Sequence, residues 1–292
     1  MDRGAARVIH ELPLERRTLH GHFSRDLPTI LTIDPGDSIA FACPNADWRL
    51  ARGERFEPRD EELDAGHALI GPIEVRGAVP GKTLVVHIDD VRPGDFGETW
   101  ARGMRVEWTL AGDVATSDRG ESVTLAPFLG VLGMPPDAQG IHSTGPPRAY
   151  GGNIDCKELV AGTTLYLPIS VAGAHFSAGD GHGAQGDGEL SGTAIECPVE
   201  RAQLTLELSD LELRWPIARL PGAWLGFGFD EELDLAAEHA IGAILDLMER
   251  ELGFDRDYAI ALGSVAVDLR VTQIVNGVKG VHAMLRDDAI RR

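Results

Sequence analysis

The 292-residue chain is 43% hydrophobic and 25% charged, the composition of a globular protein long enough to bury a large core without disulfides. Its 27 Lys+Arg against 46 Asp+Glu leave a formal charge of −19, a field that repels phosphate backbones and anionic lipid. Nucleic acid and membrane surfaces are therefore excluded as expected partners, and a neutral small molecule suits the chain better than an anion.

The first polar feature is Thr18-Leu19-His20-Gly21-His22, whose two imidazoles stand two residues apart just ahead of the first predicted strand. It is a candidate metal or substrate contact, although such a pair is also common as plain solvated polarity. Short β-rich runs then alternate with turn signals at Thr29–Asp34, Ser38–Cys43, Thr83–Val91, Thr163–Val171, Thr193–Pro198 and Gln203–Leu208. Pro35-Gly36, Pro80-Gly81 and Ala161-Gly162 each precede a Ser or Thr and a branched apolar residue. In the first two, proline pre-sets one turn position and glycine tolerates positive φ at the next, as a type II turn requires. Repeated turn-into-strand entries point to a sandwich or barrel. His67, His87 and His142 have no partners nearby in sequence and read as ordinary.

Tyr150-Gly151-Gly152-Asn153-Ile154-Asp155 is a second candidate, because Asn153 and Asp155 share a face if extended and the glycines allow close approach of a ligand. An Asx-turn accounts for the same residues without any function. Cys156 follows directly, flanked by Lys157, and reads as an inert buried thiol rather than a nucleophile. With Cys43 and Cys197 it shows no Cys-x-x-Cys spacing, which argues against a disulfide framework and a thiolate zinc cage.

The densest polar run is His175-Phe176-Ser177-Ala178-Gly179-Asp180-Gly181-His182-Gly183-Ala184-Gln185-Gly186-Asp187-Gly188-Glu189. Asp180 and His182 point to one side in an extended chain, as do Asp187 and Glu189, and the glycines let several side chains converge. Imidazole with carboxylate suits a zinc-type Lewis acid, and a carboxylate that does not ligate can serve as general base. Amide hydrolysis needs both functions. A Gly/Asp-rich turn is the plainer account, but it does not require both histidines together with Asp180, Asp187 and Glu189.

Beyond Leu220 the texture changes. Pro221–Gly226 reads as an apolar connecting loop, and Trp224, Leu225, Phe227 and Phe229 nearby suggest an exposed partner patch. Asp230 is placed to cap a helix whose apolar face runs through Leu233, Ala237, Ile241, Ile244, Leu245 and Met248, with Gly253 ending it. A shorter helix is expected after Asp255, then a strand over Val265–Ile274. This divides the chain into a mainly β body over 1–220 that carries the site and an α+β portion over 221–292 packed on it. No apolar run follows Met1 and none of about 18 residues occurs elsewhere, so a cytoplasmic protein is expected. A Gly-x-Ser-x-Gly elbow is absent, as are a Ser-Ser-Lys amidase arrangement and a nitrilase-like Glu/Lys/Cys layout.

Several of these stretches together resemble the acetamidase/formamidase family. They are Pro35-Gly36-Asp37, Gly71-Pro72-Ile73-Glu74-Val75-Arg76-Gly77-Ala78, Pro127-Phe128-Leu129-Gly130, Gly151–Asp155, Leu165–Ile169 and the run from Gly173 to Glu189. Weaker similarity continues to Asp268-Leu269-Arg270-Val271. The resemblance implies a mainly β body with jelly-roll and barrel-like elements, homo-oligomeric assembly, and hydrolysis of a formamide- or acetamide-like substrate to a carboxylate and ammonia. Carried onto matching positions, it implies a divalent metal, zinc first, on Asp155, His175, Asp180 and His182. Glu189 is then the base with Asp187 in reserve, and Asn153 steadies the oxyanion. A bulkier or cyclic amide such as a lactam, and a non-catalytic β-sandwich binding a metal or polar ligand, are the competing expectations.

Overall fold

The computed structural model describes residues 7–291. Alternation of side chains along the expected strands builds two facing sheets. Thr163–Pro168, for instance, buries Thr163, Leu165 and Leu167 and leaves the intervening residues half-buried. A nine-stranded sheet runs in the order Ile9–Leu12, Ser38–Cys43, Val199–Ser209, Thr83–Pro93, Thr163–Pro168, Ile217–Leu220, Ala223–Asp230, Lys279–Arg286 and Val267–Gln273. A six-stranded sheet holds Gly151–Asn153, Phe128–Gly133, Phe176–His182, Leu69–Val75, Leu19–His20 and, beside Leu69–Val75, Leu31–Ile33. One apolar cluster joins the inner faces, with Ile39, Phe41, Val86, Leu165 and Leu204 from the first sheet and Ile70, Ile73, Leu129, Leu132 and Phe176 from the second. Among the described residues the fold is mainly β and both α-helices lie near the C-terminus, as expected, with one 3-10 turn at Arg16–Thr18. Gly36, Gly81 and Gly162 all take positive φ at the predicted turns.

The structure departs from the sequence expectation in several places. Phe96–Ala101, Met104–Ala111, Val114–Ser117 and Ser122–Thr124 form a further sheet that was not foreseen, because Met104–Ala111 mixes charged, polar and apolar residues without a clean apolar alternation and buries only Leu110. Thr193–Pro198 is not a strand. It is held by single bridges from Glu196 to Glu98 on one side and to His182 on the other, which brings Glu196 beside the Gly-rich run.

The expected loop at Pro221–Gly226 instead enters the strand Ala223–Asp230, whose Leu225, Phe227 and Phe229 are interior. Gly226 and Gly228 sit where helix α1 (Leu233–Leu252) crosses the strand, and a β-carbon at either would collide with the helix backbone. The glycines therefore serve close helix–strand packing, and the apolar residues there make no surface patch. Residue Glu232, not Asp230, is the N-cap of α1, while Gly253 ends it in the left-handed conformation at φ 68°. Helix α2 (Arg256–Ala266) begins as expected, with Asp255 accepting from the Tyr258 amide at 2.9 Å.

Candidate active site

Three segments of the six-stranded sheet deliver the site. Phe128–Gly133 lies antiparallel between Gly151–Asn153 and Phe176–His182, so Asp155 just beyond the first neighbour approaches Asp180 and His182 on the second. The strand Phe176–His182 is buried along its whole length. Gly181 is needed there because a β-carbon would stand 2.5 Å from the Cys197 carbonyl and from Val199.

One ligand atom each from Asp155, Asp180 and His182 falls within 4.8 Å of the other two, and all three residues are buried. Gly130 forms the floor. A β-carbon on it would lie 2.5 Å from Asp180 Oδ2, 2.6 Å from Asp155 Oδ1 and 2.9 Å from His182 Cε1. Asp155, Asp180 and Glu189 all adopt positive φ, at 51°, 63° and 47°. Such backbone costs on the order of 1–3 kcal/mol per residue and concentrates where side chains must be aimed.

Hydrogen bonds fix the donors. Gln185 donates from Nε2 to the Asp155 carbonyl at 2.8 Å, so its Oε1 is the acceptor facing His182 Nδ1 at 3.0 Å. His182 Nδ1 therefore carries a proton. Its Nε2 faces only acceptors, Glu196 Oε2 at 3.3 Å and Asp180 Oδ2 at 3.5 Å. A nitrogen in that position is satisfied by bearing a proton or by sharing a cation with the carboxylates. Asn276, from the loop after strand Val267–Gln273, donates to Asp155 Oδ2 at 2.7 Å. Asp155 Oδ1, Asp180 Oδ1, Glu189 Oε2 and Glu196 Oε2 are buried without a hydrogen-bond partner. Orphaned acceptors of this kind are costly unless a cation or proton satisfies them.

The charges separate accordingly. Burial, then the Glu189 carboxylate, pushes Asp155 well above the usual aspartate range. Burial also acts upward on Asp180, but the imidazoles of His182 and His67 outweigh it and hold that carboxyl low. Burial opposes charge on His182, and the Glu196 and Asp180 carboxylates overcome it and raise the imidazole well above its ordinary value. Glu189 is pushed up to about 7, first by burial and next by its acidic neighbours Glu196 and Asp180 against His182. It also lines a cleft of about 490 Å³ whose wall includes Thr99, Trp108, Val123, Leu190 and Thr193. Glu189 thus connects the buried donors to solvent-accessible space.

The remaining expectations divide. Asn153 is buried with an unpartnered Oδ1 on the strand leading to Asp155. Asp187 lines the same cleft as Glu189 but is partly exposed and ion-paired with Lys157, whereas Glu189 is buried. The structure does not bring His175 to the Asp155, Asp180 and His182 donors. His175 has positive φ, and its ring stands near Gly173 and the Glu74 carboxylate, which turns it away from the following strand's polar face. His67, which sequence reading passed over, is the imidazole that does arrive, with Nε2 3.9 Å from Asp180 Oδ2 and Nδ1 anchored to Thr144 Oγ1 at 2.8 Å. Glu196, Gln185, Asn276 and Gly130 were likewise unassigned. The first hint for His67 was available only through its fold partner, since no residue near it in sequence carries the signal.

His20 and His22 serve the frame. His20 bridges Ser177 Oγ at 2.9 Å and the His22 carbonyl at 2.7 Å, and burial lowers its pKa to about 4, so the ring is neutral. His22 donates from Nδ1 to the Leu63 carbonyl at 2.8 Å. Burial and the Glu158 carboxylate hold the Cys156 thiol well above its usual range, which removes it as a nucleophile. Among the described residues no helix is long and apolar enough to cross a membrane.

Comparison with known proteins places the chain as a whole. The chain is 26% identical over 290 residues to a putative formamidase of Schizosaccharomyces pombe, covering 71% of this chain and 69% of that protein. It is 26% identical over 262 residues to an acetamidase of Mycolicibacterium smegmatis, covering 63% of this chain and 64% of that protein. Among solved structures, an acetamidase from Bacillus halodurans superposes with a TM-score of 0.82 at 25% identity, over 96% of this chain and 97% of that one. The model of the acetamidase/formamidase family matches residues 10–144 and 137–209, a span that contains Gly130, Asp155, Asp180, His182, Glu189 and Glu196. The chain belongs to the acetamidase/formamidase family.

Proposed function

We propose that the chain is an amidohydrolase that cleaves a small linear amide to a carboxylate and ammonia, with Asp155, Asp180 and His182 as ligands of one divalent metal and Glu189 as the acid–base group. The observation that carries this reading is the buried convergence of those three donors beside a glutamate whose pKa is raised to about 7. The donor set fits a metal on its own chemistry. Its carboxylate oxygens are orphaned, its imidazole has a defined tautomer, and the Gly130 floor leaves room where any larger residue would fill the space. Nitrogen and oxygen donors from His and Asp are a zinc set, consistent with the expectation from sequence. When bound, the ion supplies Lewis acidity toward a carbonyl oxygen and lowers the pKa of water.

The protein's own groups do the rest. Glu189, ionised, accepts a proton at its carboxylate from the attacking water and returns it to the departing nitrogen, a task suited to a pKa near the working pH. Asn153 is the candidate for steadying the developing oxyanion through its amide donors. Asn276 and Gln185 hold Asp155 and His182 in aim. The net charge of −19 is compatible with a neutral substrate and product ammonium, and unfavourable to an anionic substrate.

A second reading, a bulkier or cyclic amide, is favoured by the cleft itself, since about 490 Å³ walled by Trp108, Val123 and Leu190 exceeds what acetamide fills. A panel running from formamide and acetamide through longer aliphatic and aromatic amides to lactams tests both. Ammonia release reports the linear substrates and amino-acid product reports the lactams. Turnover of none of them by metal-replete protein would overturn the hydrolase reading. Self-association belongs to the same reading, supported by exposed Ile241, Ile260, Val265 and Leu269 on the C-terminal layer. A monomer by light scattering at micromolar concentration would remove it.

A further inference from the structure

A second donor cluster lies where the segment after Asp155 meets the C-terminal hairpin. Cys156 and Glu158 come from the segment between strands Gly151–Asn153 and Thr163–Pro168, and His282 comes from strand Lys279–Arg286. One atom each from Cys156, Glu158 and His282 lies within 4.8 Å of the other two. Cys156 Sγ is 3.3 Å from Glu158 Oε2, and His282 Nε2 is 3.7 Å from the same oxygen.

The two oxygens of Glu158 have separate duties. Oε1 takes the cations, Arg270 Nη1 at 3.1 Å and Lys157 Nζ at 3.4 Å, which leaves Oε2 turned to the thiol and the imidazole. His282 is oriented from its other nitrogen, Nδ1 to Thr272 Oγ1 at 2.9 Å, in the way metal-binding imidazoles are held by a second partner. A thiol-to-carboxylate hydrogen bond would account for Cys156 and Glu158 alone. It does not account for His282, which is 0% exposed and whose Nε2 has no hydrogen-bond partner although it is aimed at them. A buried polar atom left in that state calls for a partner.

We infer that Cys156 Sγ, Glu158 Oε2 and His282 Nε2 form a second, three-donor metal site outside the Asp155–Asp180–His182 cluster, selective for a zinc-like ion. Thiolate, imidazole and a single carboxylate oxygen are the donors zinc takes, and hard, oxygen-only ions such as magnesium are poorly served by them. Binding displaces the thiol proton to solvent and leaves thiolate, carboxylate and a neutral imidazole around the dication. The site pins the Asp155–Glu158 segment to the same hairpin that sends Asn276 to Asp155 Oδ2, so it stiffens the frame around the catalytic donors from outside them. It does not depend on the amidohydrolase reading.

The test separates this site from the first by its sulfur, because Asp155, Asp180 and His182 offer none. Protein produced in cobalt-supplemented medium is expected to show a thiolate-to-cobalt charge-transfer band, and zinc-loaded protein a sulfur shell at about 2.3 Å by X-ray absorption. The Cys156→Ser variant should lose both signals and about one equivalent of bound metal, while His182→Ala keeps both signals. A Cys43→Ser/Cys197→Ser protein, with Cys156 as its one thiol, should retain them too, and it decides the matter if Cys156→Ser does not fold. Absence of any sulfur signal at full metal loading overturns the site. So does a signal that survives in Cys156→Ser.

Discussion

Replacing Gly130 with Ala inserts one carbon into the middle of the donor cluster. Gly130 is not among the glycines with positive φ, so the backbone accepts alanine and only the added methyl acts. That methyl would stand 2.5 Å from Asp180 Oδ2, 2.6 Å from Asp155 Oδ1 and 2.9 Å from His182 Cε1. Favourable carbon contacts begin at about 3.5 Å, so these groups must withdraw by roughly 1 Å. A misplacement of about that size costs on the order of 100-fold in rate. Overpacking a dense interior costs about 1–3 kcal/mol, which a domain stable by roughly 5–15 kcal/mol survives. The variant is therefore expected to remain folded by circular dichroism, to hold its catalytic metal weakly, and to lose about 100-fold or more in kcat/KM for ammonia release. Gly242→Ala in helix α1 is the control, because nothing lies within 4 Å of its added carbon. It should keep wild-type activity and gain up to about 1 kcal/mol in stability. A Gly130→Ala enzyme with wild-type kcat/KM and metal content would refute the placement of the site on Gly130.

Glu189→Gln should lower kcat by about two to four orders of magnitude with metal retained, whereas His182→Ala should lose metal and activity together; a Glu189→Gln protein that turns over normally removes Glu189 from the mechanism. Stability gives an independent reading of Glu189 in chelator-treated protein. Its folded pKa of about 7 lies above the ordinary value of 4.5, so its stabilising contribution is whole below about 4.5 and is lost as pH rises through about 7. Urea unfolding should show Glu189→Gln gaining on the wild type across that window, and a constant difference between them would contradict the raised pKa. Asn276→Ala deletes the 2.7 Å bond to Asp155 Oδ2 and should weaken the catalytic metal about 10–100-fold by chelator competition. Unchanged affinity there would mean that Asn276 does not aim the carboxylate.

What could be read along the chain was local. Turn glycines at 36, 81 and 162, the strands they introduce and the helix start after Asp255 depend on a few neighbouring residues, and each formed where its pattern stood. The Gly-rich run disclosed Asp180, His182 and Glu189 for the same reason, since carboxylate and imidazole spaced along an extended segment are visible without a fold. Pairings across the molecule were not visible. His67 reaches Asp180, and Asn276 reaches Asp155 from 121 residues away, because sheet register, not spacing, sets who meets. His175 looked equivalent to His182, yet positive φ turned it toward Glu74. Gly226 looked like part of a loop, because a sequence shows that a side chain is missing and does not show the helix that occupies the space. Composition and local pattern decided the residue types available for chemistry. Only the tertiary structure decided which of them converge on one point, because that depends on backbone conformation and on contacts between segments distant in the chain.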